Sequence, residues 1–357
     1  MKFAVPLDQW DGGGEAEVMA NMIGRESSAL RELVERQQGV VSAAQAATCG
    51  LSHETLRQRV LRGIWQRLLP GVYALQGGPV SRAQWLTAAQ LYAGEDSVLT
   101  GQAALFEYGL DLTACAAAAM ATGTIPAAVA NGSRPIGRLD VLVPHGHRRQ
   151  NAPPVHITRT TRLPAPVRIG RLRLAPLARA VIDCCVASAA HAANHTTIDR
   201  ILSTALADGR VKLEDLEYEL ARAPRRYSSA LRAELTRIRA QSRATAARQF
   251  LDGLGRSGPF GALRDVAVYA GQRRVARAAA LWPTRAVAAA VDAPEHEVST
   301  LSALGFAVVQ VSPRRVAEDL AGLLRHLGSV LMARPEATMP SGVSLLPLAS
   351  AHEVSAT

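Results

Sequence analysis

The stretch "DAPEHE", residues 292–297, gathers Asp292, Glu295, His296 and Glu297 within six positions. Carboxylate oxygens and an imidazole are ligands for a divalent cation, and a held Mg²⁺ activates water and steadies the charge on a phosphate. Asp292, Glu295 and His296 are therefore candidate catalytic residues of a metal-dependent nuclease with Mg²⁺ as cofactor. The other account of the cluster is an acidic turn that opens a helix, because Glu295 and Glu297 suit the positive end of a helix dipole.

A different chemistry is written in "SHETLRQRVLRG", residues 52–63. Ser52 is a helix N-cap, and Glu54 favours the helix start. Leu56, Val60 and Leu61 are expected to face inward. That leaves His53, Arg57, Gln58 and Arg59 toward solvent, with Arg62 at the helix end. In a major groove, arginine reads guanine and glutamine reads adenine. Ser52, His53, Thr55, Arg57, Gln58, Arg59 and Arg62 are thus candidate DNA-binding residues, joined by Arg67 in the hairpin that follows. No comparable case exists for a metal elsewhere. "HGHRR" at 145–149 offers two histidines at i, i+2 without a third ligand nearby. Cys49, Cys115, Cys184 and Cys185 form no CxxC pair, and Cys184–Cys185 sits in the apolar helical stretch "ARAVIDCCVASAA". Buried thiols in a reducing cytoplasm are the expectation, and outside the nuclease reading no cofactor is expected.

The elements around the arginine-bearing helix have a recognisable layout. "SSALRELVERQQG" places Leu30, Leu33 and Val34 at helical spacing, with Ser28 able to cap it and Gly39 able to end it. "VVSAAQAATCG" predicts a short strand and then a helix between Ser42 and Gly50. "IWQRLLPGVYAL" predicts a hairpin whose Pro70-Gly71 suits a type II turn. Three short helices closed by a β-wing form a winged helix-turn-helix, whose third helix enters the major groove.

Charge supports a polyanionic partner. The chain of 357 residues carries a net charge of +10, and all but Lys2 and Lys212 of its 40 basic residues are arginine. Such a balance favours nucleic acid first and a membrane surface second. Between residues 145 and 182 stand Arg148, Arg149, Arg159, Arg162, Arg168, Arg171, Arg173 and Arg179, with no acid. Between 222 and 248 stand eight more arginines against Glu234 alone. Either these arginines track phosphates, or they pair with acids elsewhere and keep the protein in solution. Residues 112–133 are uncharged but alanine-rich and broken by Gly123 and Pro126, so a loop is expected there rather than a membrane span. The N-terminus lacks the apolar run of a signal peptide, and a cytoplasmic location is expected.

The segment "GVVSAAQAATCGLSHETLRQRVLRGIWQRLLPGVYAL", above all its ending "LPGVYAL", resembles the N-terminal domain of AbiEi-family antitoxins of type IV toxin–antitoxin systems. The likeness continues more loosely through "SVLTGQAALFEYGL", "LDVLVPHGHRR" and "LRLAPLARAVIDCCV". It implies operator binding through the winged helix and, for the family, a following domain that opposes a nucleotidyltransferase-like toxin protein.

The C-terminal region resembles the PD-(D/E)XK endonuclease superfamily in its Vsr-like branch. The likeness rests on "RVARAAALWP", "AVAAAVD" and "ALGFAVVQVSPRRV", and on the order helix, strand, strand, helix, strand, helix. The resemblance places a metal-binding Asp at position 279 and a Glu at 290, where this chain has Ala279 and Ala290, and it keeps Asp292. A Glu of the preceding helix falls near Ala244. An alanine methyl supplies no ligand, so a retained fold without the family's metal site is implied.

The expected fold is a multidomain α/β chain. Residues 1–26 form a flexible tail, 27–78 the winged helix-turn-helix, and 79–222 a mixed α/β AbiEi-like middle domain. Residues 223–330 form a restriction-endonuclease-like α/β domain led by a basic helix, and 331–357 a disordered tail. "SRAQWLTAAQLYAG" and "SVLTGQAALFEYGL" are expected as helices opening at Ser81 and Ser97, and two strands are expected around 266–292. The expected function is a non-catalytic transcription regulator or antitoxin that binds double-stranded DNA. The alternatives are a metal-dependent endonuclease with a rebuilt site, or an antitoxin acting mainly on its toxin partner.

Overall fold

The computed structural model describes residues 28–110, 138–190, 195–207, 209–226, 228–259, 261–336, 338–339 and 342–348. The expected tail at 1–26 and the uncharged stretch 112–133 lie outside these residues. No described helix is long and apolar enough to cross a membrane. The chain divides into two compact units, residues 1–234 and 235–357, where the sequence suggests three domains and a boundary near 223.

The first unit opens with helix α1 (Ser28–Arg36), strand β1 (Val40–Ser42), helices α2 (Ala43–Thr48) and α3 (His53–Leu61), and strands β2 (Gln66–Leu69) and β3 (Val72–Ala74). The strands form an antiparallel sheet in the order β1-β3-β2. Helix α2 starts at a reciprocal capping box between Ser42 and Gln45. Gly71 closes the β2–β3 turn at φ +74°, the left-handed conformation a type II turn requires at its third position. Leu30, Val34, Val41, Ala46, Leu56, Trp65, Tyr73 and Leu75 form the core. Leu61 does not join them and is 66% exposed. It lies five residues after Leu56, about 140° around the helix, so both cannot face one core.

Helix α4 (Arg82–Ala93) begins at a capping box between Ser81 and Gln84 and packs on both the small sheet and the next one. Ser97 does not cap a helix. Val98–Thr100 form strand β4, and helix α5 (Gly101–Glu107) starts only at Gly101. The reason is position: Val98 and Leu99 fill the fully buried centre of a five-stranded sheet. Its other strands are β5 (Leu139–Pro144), β6 (Val155–Thr160), β7 (Val167–Ile169) and β8 (Leu172–Leu174), in the order β6-β5-β4-β8-β7. Helices α6 (Leu177–Ala190), α7 (His195–Ala207) and α8 (Leu213–Ala221) follow, with Cys184 and Cys185 buried in α6. Because α4 serves both sheets, the segment from α1 to β3 and the five-stranded sheet fall in one unit.

The boundary between the units falls inside helix α9 (Ser229–Ser257). The second unit continues with strands β9 (Leu263–Ala270), β10 (Arg273–Trp282) and β11 (Val287–Val291), helix α10 (Glu295–Ala303), strand β12 (Ala307–Val311), helix α11 (Pro313–Ala333) and strand β13 (Val343–Pro347). Three strands, rather than two, therefore occupy 263–291. The sheet order is β12-β11-β10-β9-β13, with β11 and β12 parallel and the other pairs antiparallel. Strand β11, "VAAAV", is a continuous run of Ala and Val because it is buried on both faces. Val287, Ala289 and Val291 pack with Phe250, Leu254, Leu323 and Leu327. Val266, Val268 and Ala288 pack with Leu301 and Phe306. The end of the chain corrects the expectation of disorder from 331. Leu327 and Leu331 extend the apolar stripe of α11 to Ala333, and β13 pairs with the outer side of β9 from Val343↔Ala270 to Pro347↔Val266.

Candidate nucleic-acid interface

Helix α3 is built to expose its polar face. The Ser52 hydroxyl accepts the Thr55 amide at 3.1 Å, and the Ser52 and Thr55 hydroxyls lie 2.9 Å apart. Both candidate residues are thereby occupied in starting the helix. Leu56 anchors the inner side, and residues at about 100° per step place Glu54, Arg57, Gln58, Leu61 and Arg62 around the opposite side. His53, Arg57 and Arg62 are exposed, as is Arg67 on strand β2.

Two features of this face correct the reading from sequence. Arg59 is half-buried, with its guanidinium 4.7 Å from the centre of the buried Trp65 ring. Its position three residues after Leu56 brings it to the flank of the core. The solvent face carries Leu61 instead, a side chain able to meet a thymine methyl group. Sequence reasoning also passed over Glu54 as more than a helix-start residue. Its carboxylate accepts Arg57 Nε at 3.1 Å and Gln58 Nε2 at 2.7 Å. The bond from Gln58, and then that from Arg57, holds the Glu54 carboxyl below its ordinary pKa. The two prospective base readers are thus gathered by one carboxylate.

The run of arginines between 145 and 182 separates into two kinds. Arg179 forms a short bridge to Asp183 at 2.9 Å, and Arg162 one to Glu219 at 2.7 Å. Arg159 donates to the carbonyls of His147 and Arg149, and Arg149 lies over the Tyr92 ring. Arg173 donates to the carbonyls of Ser97 and Gly94, and its own pKa is lowered, first by burial and then by Arg168. These arginines support the fold. Arg148, Arg168 and Arg171 are exposed and make no side-chain hydrogen bond, ion pair or ring contact among the described residues. His147 of "HGHRR" serves its own turn, its Nδ1 accepting the Arg149 amide at 3.2 Å.

The acidic cluster of the second unit is not gathered into a ligand set. Asp292 ends β11 in a left-handed conformation, φ +44°. Its carboxylate is engaged by both arms of the Arg239 guanidinium from α9, Nε to Oδ2 at 3.2 Å and Nη2 to Oδ1 at 3.1 Å. Glu295 and His296 are exposed in the first turn of α10, and Glu297 accepts the Arg277 amide at 3.2 Å. Among the described residues, no three His, Cys, Asp or Glu side chains come together to hold a metal ion. Ala279 lies on β10 and Ala290 on β11. Ala280 pairs with Ala289, so the same register carried one step sets Ala279 opposite Ala290. Ala244 is exposed on α9.

A family model described as "Transcriptional regulator, AbiEi antitoxin" matches residues 28–76, the segment from α1 to the residues just after β3. No curated protein matches the chain.

Proposed function

We propose that this protein is a transcriptional regulator of the antitoxin type that binds double-stranded DNA and cuts none. Helices α1–α3 and strands β1–β3 act as a winged helix-turn-helix. Helix α3 enters the major groove with Arg57, Gln58 and Leu61 against base edges and His53 and Arg62 near phosphates, while Arg67 in the wing reaches the backbone. The observation that carries this reading is the solvent face of α3, where donors for guanine and adenine stand beside one apolar side chain, within the segment that matches a regulator family.

The second unit is read as an endonuclease-like fold without its metal chemistry. The order of helix α9, strands β9–β11, helix α10, strand β12 and helix α11 supports the likeness, with one strand more than the order read from the sequence. Alanines at 279 and 290 and the Arg239–Asp292 pair support the loss. The Arg239 guanidinium already neutralises Asp292 through both of its oxygens, and the methyls of Ala279 and Ala290 supply no further ligand, so these residues do not fit a Mg²⁺ ion.

The test is a mobility-shift experiment on the DNA upstream of the protein's own gene, with Mg²⁺ present and salt varied. A discrete shift that survives competitor DNA, with the duplex intact, is the expected result. Metal-dependent cleavage abolished by Asp292→Ala would replace this reading with that of an enzyme.

A further inference from the structure

Strands β7 and β8 form a hairpin at one edge of the five-stranded sheet, in the order β6-β5-β4-β8-β7. Val167 pairs with Leu174 and Ile169 with Leu172, which leaves Gly170 and Arg171 as a two-residue loop. Gly170 holds φ +57°, the left-handed conformation that a tight hairpin of type II′ needs at its first loop position. Residues 165–171 are all exposed, and the hairpin therefore stands out from the core. It carries Arg168 at the centre of β7 and Arg171 in its loop, two of the three arginines of this run without a side-chain partner among the described residues, and no acid lies between 145 and 182.

The root of this hairpin is fixed to the helix that also carries the winged region. Gln84 and Gln90 are both buried side chains of α4. Gln84 Nε2 donates to the Gln38 carbonyl at 2.9 Å, between α1 and β1. Gln90 Nε2 donates to the Arg173 carbonyl at 2.9 Å, and its Oε1 accepts the Arg173 amide at 3.3 Å. Six residues of helix separate the two glutamines, about 9 Å along the axis. The hairpin and the winged region are thus parts of one rigid frame.

We infer that the β7–β8 hairpin is a second duplex-DNA contact, with Arg168 and Arg171 placed on backbone phosphates outside the reach of α3 and the wing. The inference rests on the DNA-binding reading above. The other candidate occupant of a sheet edge is a protein strand. A three-residue edge with an arginine at its centre is the form by which sheets discourage strand addition, so charge selects the polyanion. Contacts of this kind add salt-dependent affinity without sequence preference.

The experiment uses the full chain and a duplex carrying its best site, selected from a random pool, with affinity measured across salt concentrations. Each phosphate contact contributes about 0.9 to the slope of log affinity against log salt. The variant R168Q/R171Q should reduce that slope by about 2 and lose protection of the flanking phosphates in hydroxyl-radical footprints. R168K/R171K should retain both. The variant R273Q/R274Q removes the same charge from exposed positions of the second unit and should keep the flanking footprint. An unchanged slope in R168Q/R171Q, or an equal loss of slope and footprint in R273Q/R274Q, overturns the inference. The first of these outcomes would turn attention to Val167 and Ile169 as a protein-docking edge. If the wild-type chain selects no duplex, the DNA-binding reading falls and takes this inference with it. If it does, and Arg57→Ala weakens selection while R168Q/R171Q changes nothing, the hairpin inference alone falls.

Discussion

At the scale of single residues, the solvent face of α3 is decided by helical phase. Arg57 and Arg59 look alike in the sequence, yet one stands in solvent beside Glu54 and the other lies over Trp65. Their variants should therefore separate. Arg57→Ala is expected to weaken operator binding by about 1–3 kcal/mol if its bidentate base contact is lost, with stability unchanged. Arg59→Ala is expected to lower folding stability by about 0.5–1 kcal/mol through the lost cation–π contact. Urea melts and binding isotherms on both variants check the split. Leu61→Ala gives a third outcome at this scale. An exposed leucine contributes within about 0.5 kcal/mol to stability, so normal folding with weaker operator affinity is expected. A loss of stability without a loss of affinity would return Leu61 to the core side of the helix. This choice between phases was open in the sequence, because Leu56, Val60 and Leu61 cannot all share one side of a helix.

Among elements, the sequence discloses those that carry their own local signal. Helix α2 and helix α4 were legible from Ser42 and Ser81 because a capping box is a local pattern. Strand β4 was not, since Ser97 before an apolar run reads equally as a cap until the sheet claims Val98 and Leu99. Strand β13 was hidden for a related reason: "VSLLP" lies in a Pro- and Ser-rich segment and is defined only by its partner β9. The role of β13 is to cover an edge. A chain ending at Glu336 should expose that edge of β9, lose stability and self-associate, which light scattering and thermal melting would show. The buried pair on α6 is the other test at this scale. Arg179 has a side chain 8% exposed, and its Nε–H is shared between both carboxylate oxygens of Asp183, which also accepts the Thr100 hydroxyl at 2.8 Å. Burial raises the Asp183 carboxyl, and the charge of Arg179 opposes that shift. Asp183→Ala leaves the guanidinium buried and unpaired, with an expected cost of about 3–5 kcal/mol in chemical denaturation. A cost below about 1 kcal/mol would mean that Arg179 finds solvent instead.

For the whole molecule, the arginine excess does not act as one uniform field. Part of it is engaged inside the first unit by carbonyls, carboxylates and a tyrosine ring, and part stands exposed on α3, strand β2 and the β7–β8 hairpin. Net charge alone pointed to a polyanion, but only the contacts distinguish a structural arginine from an available one. The candidate metal cluster shows the same limit. Proximity along "DAPEHE" suggested a ligand set, whereas the turn after β11 sends Asp292 to Arg239 and leaves Glu295 and His296 at the start of α10. A ligand that binds only the folded state raises its stability. Millimolar Mg²⁺ should therefore leave the melting temperature of the second unit where it is in a chelator, and a clear rise with Mg²⁺ would contradict the proposed loss of the site.

On the endonuclease-like reading proposed above, the Arg239–Asp292 pair also bears on how reversible the proposed loss is. A guanidinium held by its own helix is a resident counter-ion, and an intramolecular partner competes at an effective concentration on the order of millimolar. Placing carboxylates at positions 279 and 290 would supply only two corners of the cation cage that the reading implies. The third corner would still be held by a tethered tenant that dilution and dialysis cannot remove. On that reading, giving this fold a metal site is a problem of eviction as much as of addition, requiring the removal of Arg239 together with two substitutions on neighbouring strands.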